Sequence, residues 1–451
     1  MERHRGRPSG TPMHAPEHRN HSNNLRRRTL ATTLLAATAL VALAACGGNS
    51  DNNSGGDSNE KVTLKFQSLA FQKTTVAATK KIVADWNAAN PNIQVEYVQG
   101  SWDSVHDQLV TQFQGGTAPD IIHDESADIT GFINQGYLAD LSPYLSQATK
   151  DAVPQGVWDT VSSDGKVYAA PTLLQSYVVF ANTAALKQAG IAATGDSLSW
   201  DDLAANAKKL TAGGKYGLGW GLKSPTATVL NLGMNFDGKF FDGTGRDAKA
   251  SIGDAELEVP KRIHAMAYTD KSIDPTSLTQ SGSDVLPGFY AGKYAMVVGG
   301  NYAAQQIVAE APKGFQWEVL PPLKGTSAKQ AANPQTLSVP AESKNVKQAA
   351  QFIDYFMKAE NLAAVGQGDW LIPTTQAARD AILKTTGGKD GWQQTLASGA
   401  ELTKAPFQSV ENYPKWKDQI ATPALQEYLA NKTDLSALGK KLNDGWGQVN
   451  S

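Results

Sequence analysis

Residues 119–126, PDIIHDES, place two isoleucines and a histidine directly before two acids and a serine. The run is too short for a helix and reads as a buried strand that ends in polar residues. Its neighbours decide what kind of sheet it joins. Upstream, VTLKF (62–66) alternates as a strand does. Between Thr75 and Ala89 the apolar residues Val76, Ile82, Val83 and Trp86 recur at helical spacing, until Asn90-Pro91 stops them. IQVEYV (93–98) alternates again. Trp102, Val105, Leu109 and Phe113 then mark a second helix, ended by Gly115-Gly116. This β-α-β-α-β order implies a parallel, doubly wound sheet. Ligands of such sheets bind beyond the C-terminal strand ends. Asp124 and Glu125 fall at one of those ends, and Ser68 at another.

A second α/β region follows. In SWDDLAANAKKL (199–210), Ser199 and Asp202 form a capping box for a helix. KYAMVVGGNY (293–302) reads as a strand that breaks at a double glycine, and the last eighty residues read as mostly helical. The body that starts at Val62 is long for one core, so two lobes are expected. No tandem repeat or long internal linker separates them, so the chain should cross between lobes several times.

The N-terminal sixty residues carry a different message. Arg26, Arg27 and Arg28 precede LATTLLAATALVALAA (30–45), an uncharged run shorter than the ~20 residues a membrane span needs. It fits the apolar region of a secretion signal. Leu43-Ala44-Ala45-Cys46 resembles the bacterial lipobox, and Cys46 is the single cysteine of the chain. It can form no internal disulfide, and no Cys or His partners at metal spacing lie nearby. Cleavage before Cys46 and acylation of its thiol would tie the protein to the extracytoplasmic face of the cell membrane without spanning it. The double arginine admits twin-arginine export, and Met13 is an alternative start. GGNSDNNSGGDSNE (47–60) contains nothing to bury and reads as a flexible tether of about 20 Å.

The formal net charge of the whole chain is −2. Seven Arg and two Glu lie in residues 1–45, so the remainder carries −7. An acidic body with scattered signs is a poor partner for nucleic acid. Of the seven histidines only His106, His123 and His264 remain after cleavage, at no metal-binding spacing. No G-x-S-x-G elbow, H-E-x-x-H or phosphate-loop motif is present. No cofactor and no catalytic residue is therefore expected, although a carboxylate pair for glycoside hydrolysis stays open. Aromatics are more informative. Ten Trp and thirteen Tyr are present, and several sit in Gly-rich turns: Trp220 in YGLGWGLKSP, Tyr302 in GGNY, Trp370 in GQGDWLIP. A ring at a turn can stack on the apolar face of a sugar, but burial is the commoner fate of such residues.

Four stretches bring these features together. They are FQGGTAPDIIHDESADITGFINQGYLADLSPYL (113–145), KVYAAPTLLQSYVVFANTAALKQAGI (166–191), SWDDL (199–203) and GFYAGKYAMVVGGNY (288–302). In order and content they resemble the extracellular solute-binding proteins of carbohydrate ABC importers, the group that includes maltodextrin-binding protein. Ala181-Asn182 stands where that family usually has Tyr-Asn. The resemblance implies a two-lobe periplasmic-binding-protein-like α/β fold, each lobe a doubly wound sheet flanked by helices, joined by a multi-crossing hinge. Lobe one would comprise 61–171 with 340–372, and lobe two 172–339 with 373–451. It also implies that Asp124, Glu125, Gln175, Tyr177, Trp220, Ser224, Tyr302 and Trp370, with Ser68 at its strand end, face a carbohydrate ligand in the inter-lobe cleft. Permease subunits in the membrane would be the partners of a monomeric receptor. A polyamine or other non-sugar ligand, a surface glycoside hydrolase and an adhesive lipoprotein are the alternatives.

Overall fold

The computed structural model describes residues 61–102 and 105–450. The expected leader, the lipidated Cys46 and the tether lie outside them. The first sheet has the strand order Ile93–Gln99, Val62–Ser68, Ile121–Glu125, Gln335–Ser338, Ala169–Pro171. Its first three strands (β2, β1 and β3 in chain order) are parallel, with Leu64 opposite Val95 and Phe66 opposite Ile121. Two helices make the crossovers, α1 (Lys73–Ala89) and α2 (Val105–Gln114). Trp86 buries its ring against Phe352 and donates its indole N–H to the Ile93 carbonyl at 2.8 Å, which fixes α1 on the start of β2. Gln335–Ser338 and Ala169–Pro171 extend the sheet antiparallel.

The second sheet has the order Tyr216–Trp220, Tyr294–Gly300, Tyr177–Asn182, Trp317–Val319. Its first pair is parallel and the other two are antiparallel. Side chains of a strand alternate between faces, and both faces of this one are buried. Val178 and Phe180 join the core that contains Leu64, Phe66 and Phe352. Tyr177, Val179 and Ala181 join a separate core around Trp200, Phe241, Trp416 and Trp446. The helix expected after Ser199 spans Trp200–Leu210, and Ser199 Oγ accepts from the Asp202 N–H at 3.0 Å.

Two of the expected lobe boundaries need correction. Gln335–Ser338, expected in the second lobe, pairs between β3 and Ala169–Pro171 in the first sheet. Its four residues, QTLS, carry too little apolar character to announce a strand. The segment after Pro373 also divides: Ala378, Ile382, Trp392 and Leu396 pack into the core of the first sheet, whereas Tyr413, Trp416 and Trp446 pack into the other. Between the sheets, Leu173–Leu174 pairs antiparallel with Ile372–Pro373. Among the described residues, no helix is long and apolar enough to cross a membrane.

Candidate functional site

Because β1, β2 and β3 are parallel, their C-terminal ends open on one edge of the sheet. The chain runs past each end before it turns. After Ser68 it reaches Phe71, 63% exposed, and Gln72 at the start of α1. After Gln99 it reaches Trp102, and β3 ends at Glu125. These residues line a cavity of about 180 Å3 together with Leu173, Gln175, Tyr302, Asn333, Gln335, Asp369 and Leu371. Tyr302 comes from the other sheet, two residues past the strand Tyr294–Gly300.

Side-chain hydrogen bonds hold the walls in place. Asn333 donates from Nδ2 to Glu125 Oε2 at 2.9 Å and accepts from Ser126 Oγ and the Ala127 N–H at 2.9 and 3.0 Å. The Leu69 N–H donates to His123 Nδ1 at 3.0 Å, which leaves Nε2–H to donate to Gln335 Oε1 at 3.1 Å. Burial pushes His123 down to about 4, only partly offset by Gln335, so the ring is neutral and acts as a rigid brace. Trp102 packs edge-on against it, with ring centroids 5.6 Å apart. Asp369, 4% exposed, accepts a hydrogen bond from Thr75 Oγ1, yet burial raises its carboxyl to about 6.

A second cavity of about 380 Å3 shares Trp102 and Glu125 with the first. On one side it has His106, Asp107, Asp124 and Asp128, and on the other Tyr413, Lys417 and Asp418. Asp124 is buried, and burial followed by the charge of Asp128 raises its carboxyl well above the ordinary range. Burial and then Asp128 also raise Glu125, against the opposing pull of Lys417 and Asn333.

Two strand-end cavities lined by rings, amides and acids suit a polar solute with apolar faces. Residues 72–363 match the family of bacterial extracellular solute-binding proteins. The chain belongs to this family. A lipoprotein of Streptomyces antibioticus, uncharacterized and encoded in the oleD 5′ region, is 44% identical over 382 residues, covering 83% of this chain and 84% of that one. Among solved structures, the GacH receptor of Streptomyces glaucescens, determined unliganded and with acarbose, superposes with a TM-score of 0.72 at 19% identity. It matches 86% of this chain and 98% of its own. The substrate-binding protein Lmo0181 of Listeria monocytogenes, in complex with cycloalternan, gives 0.71 at 20% identity over 86% and 99%.

The structure of this solute-binding protein sorts the expected site residues. Glu125, Gln175 and Tyr302 meet in the first cavity, and Asp124 lies in the second. Ser68 is buried one layer deeper, beside a small void with Thr75, His123 and Asp369. Tyr177 is also buried; its N–H and carbonyl pair with the Gln330 side chain at 2.8 and 3.0 Å, and its hydroxyl faces Thr228 and Gln175. Three more of the expected residues line neither cavity. Trp220 is 1% exposed, with its ring stacked on Trp200 at 6.2 Å, so it is core and not cleft. Ser224 is exposed ahead of the helix Pro225–Gly233 and lines neither cavity. Trp370 stands in the expected turn, but its φ of +57° sends the ring onto Trp392, 4.9 Å away and nearly parallel. Its neighbours Asp369 and Leu371 line the cavity instead. Phe71 and Trp102 line the cavity although neither is among the residues expected at the site. Trp102 reads in the sequence as the first apolar position of a helix, but its own backbone is a bend outside one.

Proposed function

We propose that this solute-binding protein is the lipid-anchored receptor of an ABC importer, that it captures a mono- or oligosaccharide in the cleft formed by the two cavities, and that it hands the sugar to permease subunits. The observation that carries this reading is the lining of the first cavity. It combines an exposed ring (Phe71), two part-buried ones (Trp102, Tyr302), four side-chain amides and Glu125. Rings replace water over the C–H faces of a sugar, and amides and carboxylates bind its hydroxyls. The acarbose and cycloalternan complexes of the two structural neighbours support the same ligand class.

Phe71 and Trp102 follow strands of the first sheet, Glu125 ends another, and Tyr302 follows a strand of the second. A sugar that touches both binds the closed arrangement more tightly and so favours it. Binding and release complete this role with no bond broken, which fits a body without a motif for nucleophilic catalysis. Acylation of Cys46 keeps the receptor, a monomer, beside its permease on the extracytoplasmic face.

A thermal-melt screen of the purified protein against mono- and oligosaccharides, with spermidine as contrast, tests the proposal. A ligand at a hundred times its dissociation constant adds about 2.7 kcal/mol to the folded state, a shift of a few degrees. The expected result is a shift by a saccharide that is recovered intact. A shift by spermidine and by no saccharide would refute the carbohydrate reading, and recovery of cleaved sugar would refute the non-enzymatic one.

A further inference from the structure

The second cavity contains an unusual local excess of acid. Asp124 is fully buried. Its Oδ1 accepts the Glu125 N–H at 2.9 Å, and its Oδ2 receives no donor from the described residues. Burial raises the Asp124 carboxyl most, and another carboxylate, Asp128, raises it further both by charge and by direct side-chain contact. Asp128 has His106 on its Oδ1, but no donor among the described residues serves the Oδ2 of Asp124, so the two carboxylates repel in a low-dielectric site unless a proton or a cation sits between them. We infer that the second cavity is a subsite for a protonated amine, and that the saccharide captured in this cleft carries an amino group, which lodges between Asp124 and Asp128. The inference rests on the saccharide reading proposed above and narrows its substrate class.

The charged groups facing Asp124 bear this out. From α2 come His106 and Asp107, from the end of β3 Glu125, and from the helix Ser126–Asn134 Asp128. From the C-terminal helices come Tyr413, Lys417 and Asp418. Lys417 lies 3.8 Å from Asp418 and draws down Glu125, so its charge is already engaged. His106 bonds the Oδ1 of Asp128. The remaining acid, Asp124, has no cationic partner. A neutral hydroxyl could donate to its Oδ2 but would leave the repulsion with Asp128 in place, whereas an ammonium group relieves both. The rings of Trp102 and Tyr413 line the same cavity and can offer their faces to a cation. An incoming ammonium group displaces the resting proton, so its affinity should rise with pH across the acidic range.

The experiment is calorimetric titration of the purified protein with three trisaccharides: the glucosamine trimer, its fully N-acetylated form, and maltotriose. Acetylation keeps the rings and hydroxyls but replaces the charged ammonium with a neutral, bulkier amide, and maltotriose has a hydroxyl at that place. The expected result is about tenfold tighter binding of the free-amine trimer near neutral pH. Asp124→Asn should shrink that preference to within about threefold. An amide there matches the shape of an acid that holds a proton at rest, so folding should survive. Asp128→Asn, at a less buried position, gives a second reading of the same pair. Equal affinity for the three trimers would overturn the inference and leave the saccharide proposal standing. So would a preference that persists undiminished in both variants. Binding of spermidine without any saccharide would overturn the proposal beneath it as well.

Discussion

Strand ends in the two sheets can treat their aromatic residues in opposite ways. At the first, the chain continues beyond the strand before turning, so Phe71 stands mostly in solvent and Trp102 half in it. At the second, the strand Tyr216–Trp220 ends inside the core, with the Trp220 ring on Trp200. What covers that end is visible in the backbone. The Trp220 N–H donates to Ser277 Oγ at 3.0 Å, and a Cβ on Gly221 would lie 2.3 Å from the Ser281 carbonyl oxygen. The segment 277–281 therefore lies directly on the strand end, and only a glycine admits it. A strand end in an α/β lobe marks where a ligand site can form; an uncovered end is where one does.

That contrast predicts a division of labour between fold and binding. Trp220→Ala should cost about 3–5 kcal/mol of stability, since it empties a fully buried site beneath Trp200. Phe71→Ala should change stability by no more than about 0.5 kcal/mol, as for other exposed positions, while weakening saccharide binding about tenfold. Urea unfolding and calorimetric titration of the two variants separate the effects. A Phe71 variant that binds normally would place the stacking surface elsewhere.

Two buried titratable groups beside the first sheet's strand ends give that side a dependence on pH. The Asp369 carboxyl lies above its unfolded value of 3.8, at about 6. Its favourable contribution is thus complete below about pH 4 and is lost as pH rises through 6. Asp369→Asn should therefore gain on the native protein as pH rises from 4 to 6, by up to about 3 kcal/mol at 1.36 kcal/mol per unit, and keep the gain above. His123 works in the other direction. Its pKa falls from 6.5 to about 4, so its contribution is lost as pH drops through that window. Unfolding free energies of both proteins at a series of pH values test this, and a gap that does not change with pH would contradict the assigned burial of Asp369.

How much of this was legible in the sequence follows from range. The β-α-β-α-β order and the Ser199 cap depend on spacing within a dozen residues, and both could be read directly. Glu125 could be read as well, because a strand that runs from Ile121 into acids shows its own end. Trp370 could be placed in its turn, but one left-handed residue decides which way the ring points, and nothing in GQGDWLIP announces that choice. Trp220 shares the sequence character of a cleft residue and is buried by a segment nearly sixty positions later. Phe71, a lone ring in LAFQK just past a strand, was a usable signal that strand-end reasoning stopped short of. Tyr413 and Lys417 reach the second cavity from almost three hundred residues beyond Asp124, where no local pattern could associate them.

The smallest expected effect probes the covered end of the second sheet. Ser199 and Ser224 both precede helices, yet only Ser199 caps one: its Oγ takes the Asp202 N–H, while Ser224 makes no side-chain cap bond. Ser199→Ala should therefore cost about 1 kcal/mol, the usual loss when a capping oxygen is removed. Ser224→Ala should stay within about 0.5 kcal/mol in stability. Ser224 also lines neither cavity, so its variant should bind saccharide with unchanged affinity. A drop in affinity without a drop in stability would show that the loop before Pro225 swings onto the ligand when the lobes close. The second sheet would then contribute a mobile wall to the cleft, and the contrast between an open and a covered strand end would hold only for the ligand-free protein.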